Sequence, residues 1–258
     1  MGRPRSLRNR HGGTAVKNIL IAALLVLPIQ AHSVFMRAVA TGTVYDSADE
    51  TGKFGYGPGA SNPLDGATVW ATWSFYTEEA GPARDSGASA LWQPLTNWTD
   101  SVVVIRPTDP SRPELKFYDR GGPTAPVRGA NLFPDSISIG NNASISGSST
   151  SYDSYQISSS SIFEPSDYRY SWSTTSGFVT NNTDLITSHL DLTQELMWAP
   201  GDGEVGFGSV QYREGGWRSR ASYDLTSFTV SNVPEPATLG MLGAGLLALG
   251  VMRRKRAA

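Results

Sequence analysis

Residues 68–77 read TVWATWSFYT, and their apolar side chains recur at every second position. Val69, Ala71, Trp73 and Phe75 fall on one face of an extended chain, and Trp70, Thr72, Ser74 and Tyr76 on the other. A period of two marks a β-strand with one face turned to a core. The same period extends outward from this strand. Upstream, Val39, Thr41, Thr43 and Tyr45 share a face, and a Gly/Pro-rich stretch, TGKFGYGPGASNPLDG, separates the two strands. Downstream, Val102–Ile105 is a short continuous apolar run that suits a strand covered on both sides. RPTDPSRPE follows, and its prolines remove backbone donors and forbid regular structure. Leu115–Tyr118 is the next short strand.

Residues 135–161 are rich in serine. Ile137, Ile139 and Ile145 alternate with Ser around Asn141-Asn142, which predicts strands joined by a hairpin turn at the two asparagines. Disorder is the competing reading, because few apolar groups offset the ordering entropy. TDLITSHLDLTQELMW is the best helical candidate, although its Leu190/Leu192 alternation fits a strand equally well. In the closing segment Val205 and Phe207 alternate with glycines, Glu214-Gly215-Gly216 makes a turn, and Phe228 and Val230 end the last strand. Many short strands with Gly/Pro turns predict an all-β domain, an antiparallel two-layer sandwich.

The two ends read differently. Arg3, Arg5, Arg8, Arg10 and Lys17 precede an apolar stretch at Ile19–Leu27, with cleavage expected after Ala31 or Ser33. A basic segment, an apolar core and a small-residue site make a secretory signal peptide, so a signal helix is expected within residues 1–33. At the other end Val233, Pro234, Glu235 and Pro236 precede an apolar run at Ala237–Met252, and Arg253, Arg254, Lys255 and Arg256 follow it. As a helix the run would be about 24 Å long, and the basic cluster would act as a stop-transfer signal on the cytoplasmic side. A transmembrane helix is therefore expected at 237–252. The Pro-Glu-Pro before it is stiff, extended and charged, and belongs outside the span.

The formal net charge of −2 conceals a polarised layout. Residues 34–232 carry 12 basic and 22 acidic groups, a net of −10. Such a domain repels nucleic acid and anionic lipid. There is no cysteine, so the domain is held by its core alone and has no thiol chemistry. Of three histidines only His189 lies in the domain proper, and a zinc site needs several ligands.

Val233–Arg256 resembles the PEP-CTERM sorting signal of Gram-negative bacteria: a Val-Pro-Glu-Pro, a Gly/Leu-rich span and a terminal Arg/Lys cluster, in that order. The resemblance covers about a tenth of the chain. It implies recognition by an exosortase, a membrane transpeptidase-like enzyme, and release or transfer to the cell surface, often in species that produce exopolysaccharide. GTVYDSADETGKFGYG, LDGATVWATWSFYT and YDLTSFTVS also resemble the middle of small secreted proteins that carry such tails, a likeness that brings no activity with it. The chain then divides into a signal peptide at 1–33, a secreted β-rich domain at 34–232 and a sorting tail at 233–258. Signal peptidase and exosortase are the expected processing enzymes, with transient residence in the inner membrane. The expected destination is the cell surface or extracellular space.

Within the domain three constellations compete with plain structural roles. Among seven tryptophans, Trp92, Trp98 and Trp217 lie beside loop residues and are the candidates for stacking on sugars; the others read as core. Asp46, Asp49 and Glu50, or Asp202 and Glu204, are dense enough in oxygen to raise calcium but match no recognised loop, and solvated turn charges are the simpler reading. No carboxylate spacing singles out a glycosidase pair, Ser188 and His189 are adjacent and point to opposite faces of a strand, and no G-x-S-x-G occurs. No metal, cofactor or catalysis is expected. The sequence reads as a structural or adhesive surface protein; the alternatives are a carbohydrate-binding module for exopolysaccharide and, further off, a secreted hydrolase.

Overall fold

In the computed structural model Val69, Ala71, Trp73 and Phe75 are at most 1% exposed, while Trp70, Thr72, Ser74 and Tyr76 are half-buried on the opposite face. The structure describes residues 34–94, 98–119, 135–144, 150–162, 170–201 and 204–234. Thirteen strands are found among them: β1 (Phe35–Asp49), β2 (Ala60–Ser61), β3 (Thr68–Tyr76), β4 (Arg84–Asp85), β5 (Ser89–Trp92), β6 (Thr99–Arg106), β7 (Leu115–Asp119), β8 (Ser136–Ser144), β9 (Ser151–Ile162), β10 (Tyr170–Thr180), β11 (Leu196–Trp198), β12 (Val205–Glu214) and β13 (Trp217–Asn232). All belong to one sheet, ordered β4-β5-β8-β9-β10-β12-β13-β1-β3-β6-β7, with β2 added to β1 and β11 to β13. Every pairing is antiparallel.

This corrects the two-layer sandwich: a single ladder runs through all the strands, and the core forms because that ladder coils onto itself. β7 lies six strand steps from β10, which in a flat sheet would be about 29 Å. Yet the rings of Phe117 on β7 and Trp172 on β10 are 6.4 Å apart. Tyr155 on β9 and Phe228 on β13, three steps apart, are separated by 5.4 Å. The inward face is therefore concave and closes over its own aromatic side chains. Phe178 stacks on Trp198 at 5.1 Å and meets Phe228 edge-on at 5.6 Å. Gly206 and Gly208 on the inward face of β12 make room for this packing. A Cβ at Gly208 would stand 2.0 Å from the Tyr223 ring, and one at Gly206 2.3 Å from that of Trp198.

The long β1–β13 ladder is the spine. It runs from Met36 opposite Asn232 to Asp49 opposite Ser219, with register shifts at Thr41/Gly42 and Val44/Asp46. The predicted face of Val39, Thr41, Thr43 and Tyr45 is the outward one; Met36, Ala38, Ala40 and Val44 fill the core. The described parts of the serine-rich region form strands, burying Ile137, Ile139, Tyr155 and Ile157 and turning Ser138, Gln156 and Ser158 outward; Ile145 lies outside the described residues. The region's asparagines are not a hairpin turn. β8 runs through them with a bulge between Gly140 and Ala143, where Asn142 has φ 51 and its N–H donates to Asp153.

Residues 183–198 are not helical either. They form successive turns ending in β11, with Gln194 Nε2 donating to the carbonyls of Ser188 and Asp191. The only helical element among the described residues is a 3₁₀ turn at Thr77–Ala80. None of their helices is long and apolar enough to cross a membrane. The expected signal helix (1–33) and transmembrane helix (237–252) lie outside the described residues. Among the described residues no helix spans a membrane, so the transmembrane part of the expected fold, role and location has no counterpart there.

Candidate functional site

At the end of the spine farthest from Asn232, the last residue of β1 builds a platform. Asp49 is fully buried. Its carboxylate accepts the N–H groups of Phe54 and Tyr56, each at 3.1 Å, and the Ser219 hydroxyl at 2.7 Å. Its carbonyl accepts the Gly59 N–H at 3.0 Å. Four donors converge on one residue, so the loop after β1 folds back over it instead of running into solvent. Neighbouring contacts fix the loop further. Thr51 N–H donates to Ser219 Oγ at 3.1 Å, and the two hydroxyls are 2.5 Å apart. Phe54 is buried edge-on against Phe117. The Arg112 guanidinium lies 4.7 Å over the Tyr56 ring and donates to the Gly55 carbonyl at 3.0 Å.

The β12–β13 hairpin supplies the other wall. Glu214 pairs with Trp217 across a two-residue turn in which Gly215 has φ 58, the left-handed conformation that a tight hairpin demands. The first residue after the turn has no strand beyond it to cover its side chain, and Trp217 is 66% exposed. Arg218 N–H donates to Glu50 Oε2 at 2.9 Å, tying loop to hairpin. Between them lies an open cleft of about 480 Å³, lined by Glu50, Thr51, Pro58, Gly59, Glu214 and Trp217. It offers an indole and a proline ring as apolar surfaces, two carboxylates that only accept hydrogen bonds when ionised, and one hydroxyl.

The three candidate tryptophans thus part company. Trp217 lines the cleft. Trp92 and Trp98 are each 4% exposed and belong to the core, a correction to their reading as sugar platforms. Trp98 packs edge-on against Phe75 at 5.3 Å, and its backbone N–H donates to the buried Asp135. Adjacency to a loop did not expose them, because the coiled sheet closes over the strand ends. Asp135 also accepts the Thr99 N–H, the Thr99 hydroxyl and the Ser160 N–H. Burial pushes its pKa up from the ordinary carboxylate value, against the pull of these donors.

The acidic candidates disperse. Asp46 pairs with Arg220 at 3.2 Å, Asp49 is turned inward on its donors, and Glu50 alone of the three reaches the cleft. Glu204 accepts from Thr180 at 2.5 Å and from Gly201 N–H at 3.0 Å; Asp202 lies outside the described residues. Among the described residues no three His, Asp or Glu side chains gather as metal ligands. His189 meets Asp85 at 3.1 Å, and Ser188 Oγ accepts the Leu190 N–H. Glu214, Thr51 and Pro58 escaped the sequence reading, although an aromatic residue directly after an Glu-Gly-Gly turn signals an exposed ring beside a carboxylate.

At the opposite end of the spine the chain enters and leaves side by side. Val233 N–H donates to the Phe35 carbonyl at 2.9 Å, and Asn232 N–H donates to Glu195 at 2.9 Å. Val233 is half-buried and Pro234 exposed. Glu235, Pro236, Arg253, Arg254, Lys255 and Arg256 lie outside the described residues. No curated protein and no solved structure matches the chain. The family model of the PEP-CTERM protein-sorting motif matches residues 232–256. The match begins on the last residue of β13, and it establishes that the chain carries a PEP-CTERM sorting motif near its C-terminus.

Proposed function

We propose that the chain is an exported carbohydrate-binding module that engages exopolysaccharide at the Trp217 cleft. The exposed indole carries this reading: a large ring left in solvent beside a concave, polar-rimmed surface. An aromatic face stacks on the C–H face of a pyranose, and the two carboxylates accept from its hydroxyls. The loop is held by Asp49 before any ligand arrives, so little ordering entropy is lost on binding. The sorting motif supports export to the cell surface and processing by an exosortase at Val233–Pro236, with signal peptidase acting on residues 1–33. The structural or adhesive role expected from the sequence gives way to a binding role, because the described residues offer a ligand cleft with an exposed indole. In this reading the module binds without turning over its ligand.

The test is affinity electrophoresis of the full chain in gels cast with neutral, acetylated and amino polysaccharides. Retardation that Trp217→Ala abolishes is the expected result. Equal mobility in every gel would refute the reading. Release of reducing ends, lost in Glu50→Gln or Glu214→Gln, would convert the site into that of a hydrolase.

A further inference from the structure

The Trp217 cleft is lopsided in charge. Two of its six lining residues are glutamates and none is basic. The nearby cations are engaged or turned away. Arg220 is paired with Asp46, Lys53 lies 4.8 Å over the Tyr212 ring, and Arg112 lies over Tyr56. Arg218 follows Trp217 on the strand and so points to the other face. Among the described residues neither Glu50 nor Glu214 has a Lys or Arg side chain as ion-pair partner. A neutral sugar offers hydroxyl donors but no counter-charge, and an acidic one would be repelled. A ring bearing an ammonium group satisfies the whole lining: charge-assisted hydrogen bonds to the carboxylates and cation–π attraction to the indole face of the same site.

We propose, building on the carbohydrate-binding reading, that the cleft selects sugars with a free amine: a protonated hexosamine residue whose ring lies on Trp217 and whose ammonium meets Glu50 and Glu214. A basic peptide shares the charge but lacks the rigid, flat C–H face that an exposed indole receives at low entropy cost. The ligand class is therefore de-N-acetylated amino polysaccharide. Acetylation removes the charge and adds bulk, and separates this ligand from its parent polymer.

Calorimetric titration of the full chain with glucosamine hexamer, N-acetylglucosamine hexamer, cellohexaose and oligolysine, in mildly acidic buffer, tests this. The glucosamine hexamer is expected to bind at least roughly tenfold more tightly than its acetylated form, the worth of one charge-assisted hydrogen bond. Glu214→Gln and Glu50→Gln should erase that preference, weakening the glucosamine hexamer more than its acetylated form; Trp217→Tyr should retain most of it. The preference should fade as pH rises through the titration of the sugar amine. Equal or tighter binding of the acetylated or neutral hexamers, dependent on Trp217, overturns the amine selectivity and leaves the carbohydrate reading intact. Oligolysine binding as tightly as glucosamine hexamer through the same residues overturns the choice of a sugar. No binding of any of the four overturns both.

Discussion

The two ends of the β1–β13 ladder solve the same problem with different means. At the cleft end the chain must leave β1, travel ten residues and return, and one buried carboxylate, Asp49, gathers the donors that the excursion would orphan. At the tail end no excursion is needed. Phe35 and Asn232 are held by the ladder itself, with Glu195 and the Phe35 carbonyl extending it to Asn232 and Val233. A buried carboxylate stands at this end too. Asp135 ties the start of β6 to β9, in the row that runs Thr99–Phe75–Met36–Asn232. The cleft is thus shaped by side-chain chemistry and the exit by backbone pairing, and a substitution should affect one without the other.

Asp49→Ala should have the largest effect. It leaves the buried Phe54 N–H, the part-buried Tyr56 N–H and the buried Ser219 hydroxyl without their acceptor, at about 1–3 kcal/mol for each buried group. Urea denaturation should show a loss of about 3 kcal/mol or more, with ligand binding at Trp217 lost as well. A cost below about 1 kcal/mol would mean that the loop holds itself.

Asp135→Asn comes next, at about 1–3 kcal/mol, because an amide places a donor where Ser160 N–H or Thr99 also donates. It carries a pH signature. The folded protein holds the Asp135 proton more tightly than the unfolded chain does, since burial raises its pKa. Stability contributed by this proton is complete below the ordinary carboxylate pKa and is lost as pH rises from there to the raised value. Melting temperatures across that window should fall with rising pH in the wild type, relative to a flatter Asn variant. A steeper fall in the variant would reverse the assignment.

Glu195→Ala should cost about 0.5–1 kcal/mol or less, being one exposed cap on the Asn232 N–H. Its mark is local: faster amide exchange at Asn232 and Val233, with none at Phe54 or Tyr56. Faster exchange at both ends would break the proposed independence. Trp217→Ala should be the mildest for stability, within about 0.5 kcal/mol as for other exposed sites, while abolishing retardation in polysaccharide gels. A large stability loss would show the indole to be structural.

How far the sequence could be read depends on the range of the forces involved. The alternation around Trp73 is local, set by burial of every second residue, and β3 follows from it directly. The strand order is not local. β10-β12-β13-β1 joins segments nearly two hundred residues apart, and coiling of one sheet produces the same inward/outward pattern as two stacked sheets. Asn141-Asn142 has hairpin chemistry, yet Asp153, eleven residues on from Asn142, accepts its N–H and turns the pair into a bulge. Leu192, Leu196 and Ile186 are buried as a helix would bury them, but the Ile186 N–H is taken by Asp153 and the segment settles as turns. For the site, Trp217 was legible because a hairpin turn precedes it. Trp92 and Trp98 were not, because exposure beside a loop is decided by what folds over it.

β13 begins at Trp217 and ends at Asn232, one residue before Val233. If a polymer grips the first and the sorting motif secures the last, the whole tensile path between them is a single strand of 16 residues, roughly 50 Å long. Along that path β13 is flanked by β1 on one side and by β12 and β11 on the other. Pulling at Trp217 and Val233 therefore tensions the covalent backbone of a strand that is already extended, and its neighbouring ladders need not break. Pulling instead at Phe35 and Val233, which sit side by side, would unzip β1 from β13 one pair at a time. The same domain is mechanically strong toward a ligand and weak toward its own two ends.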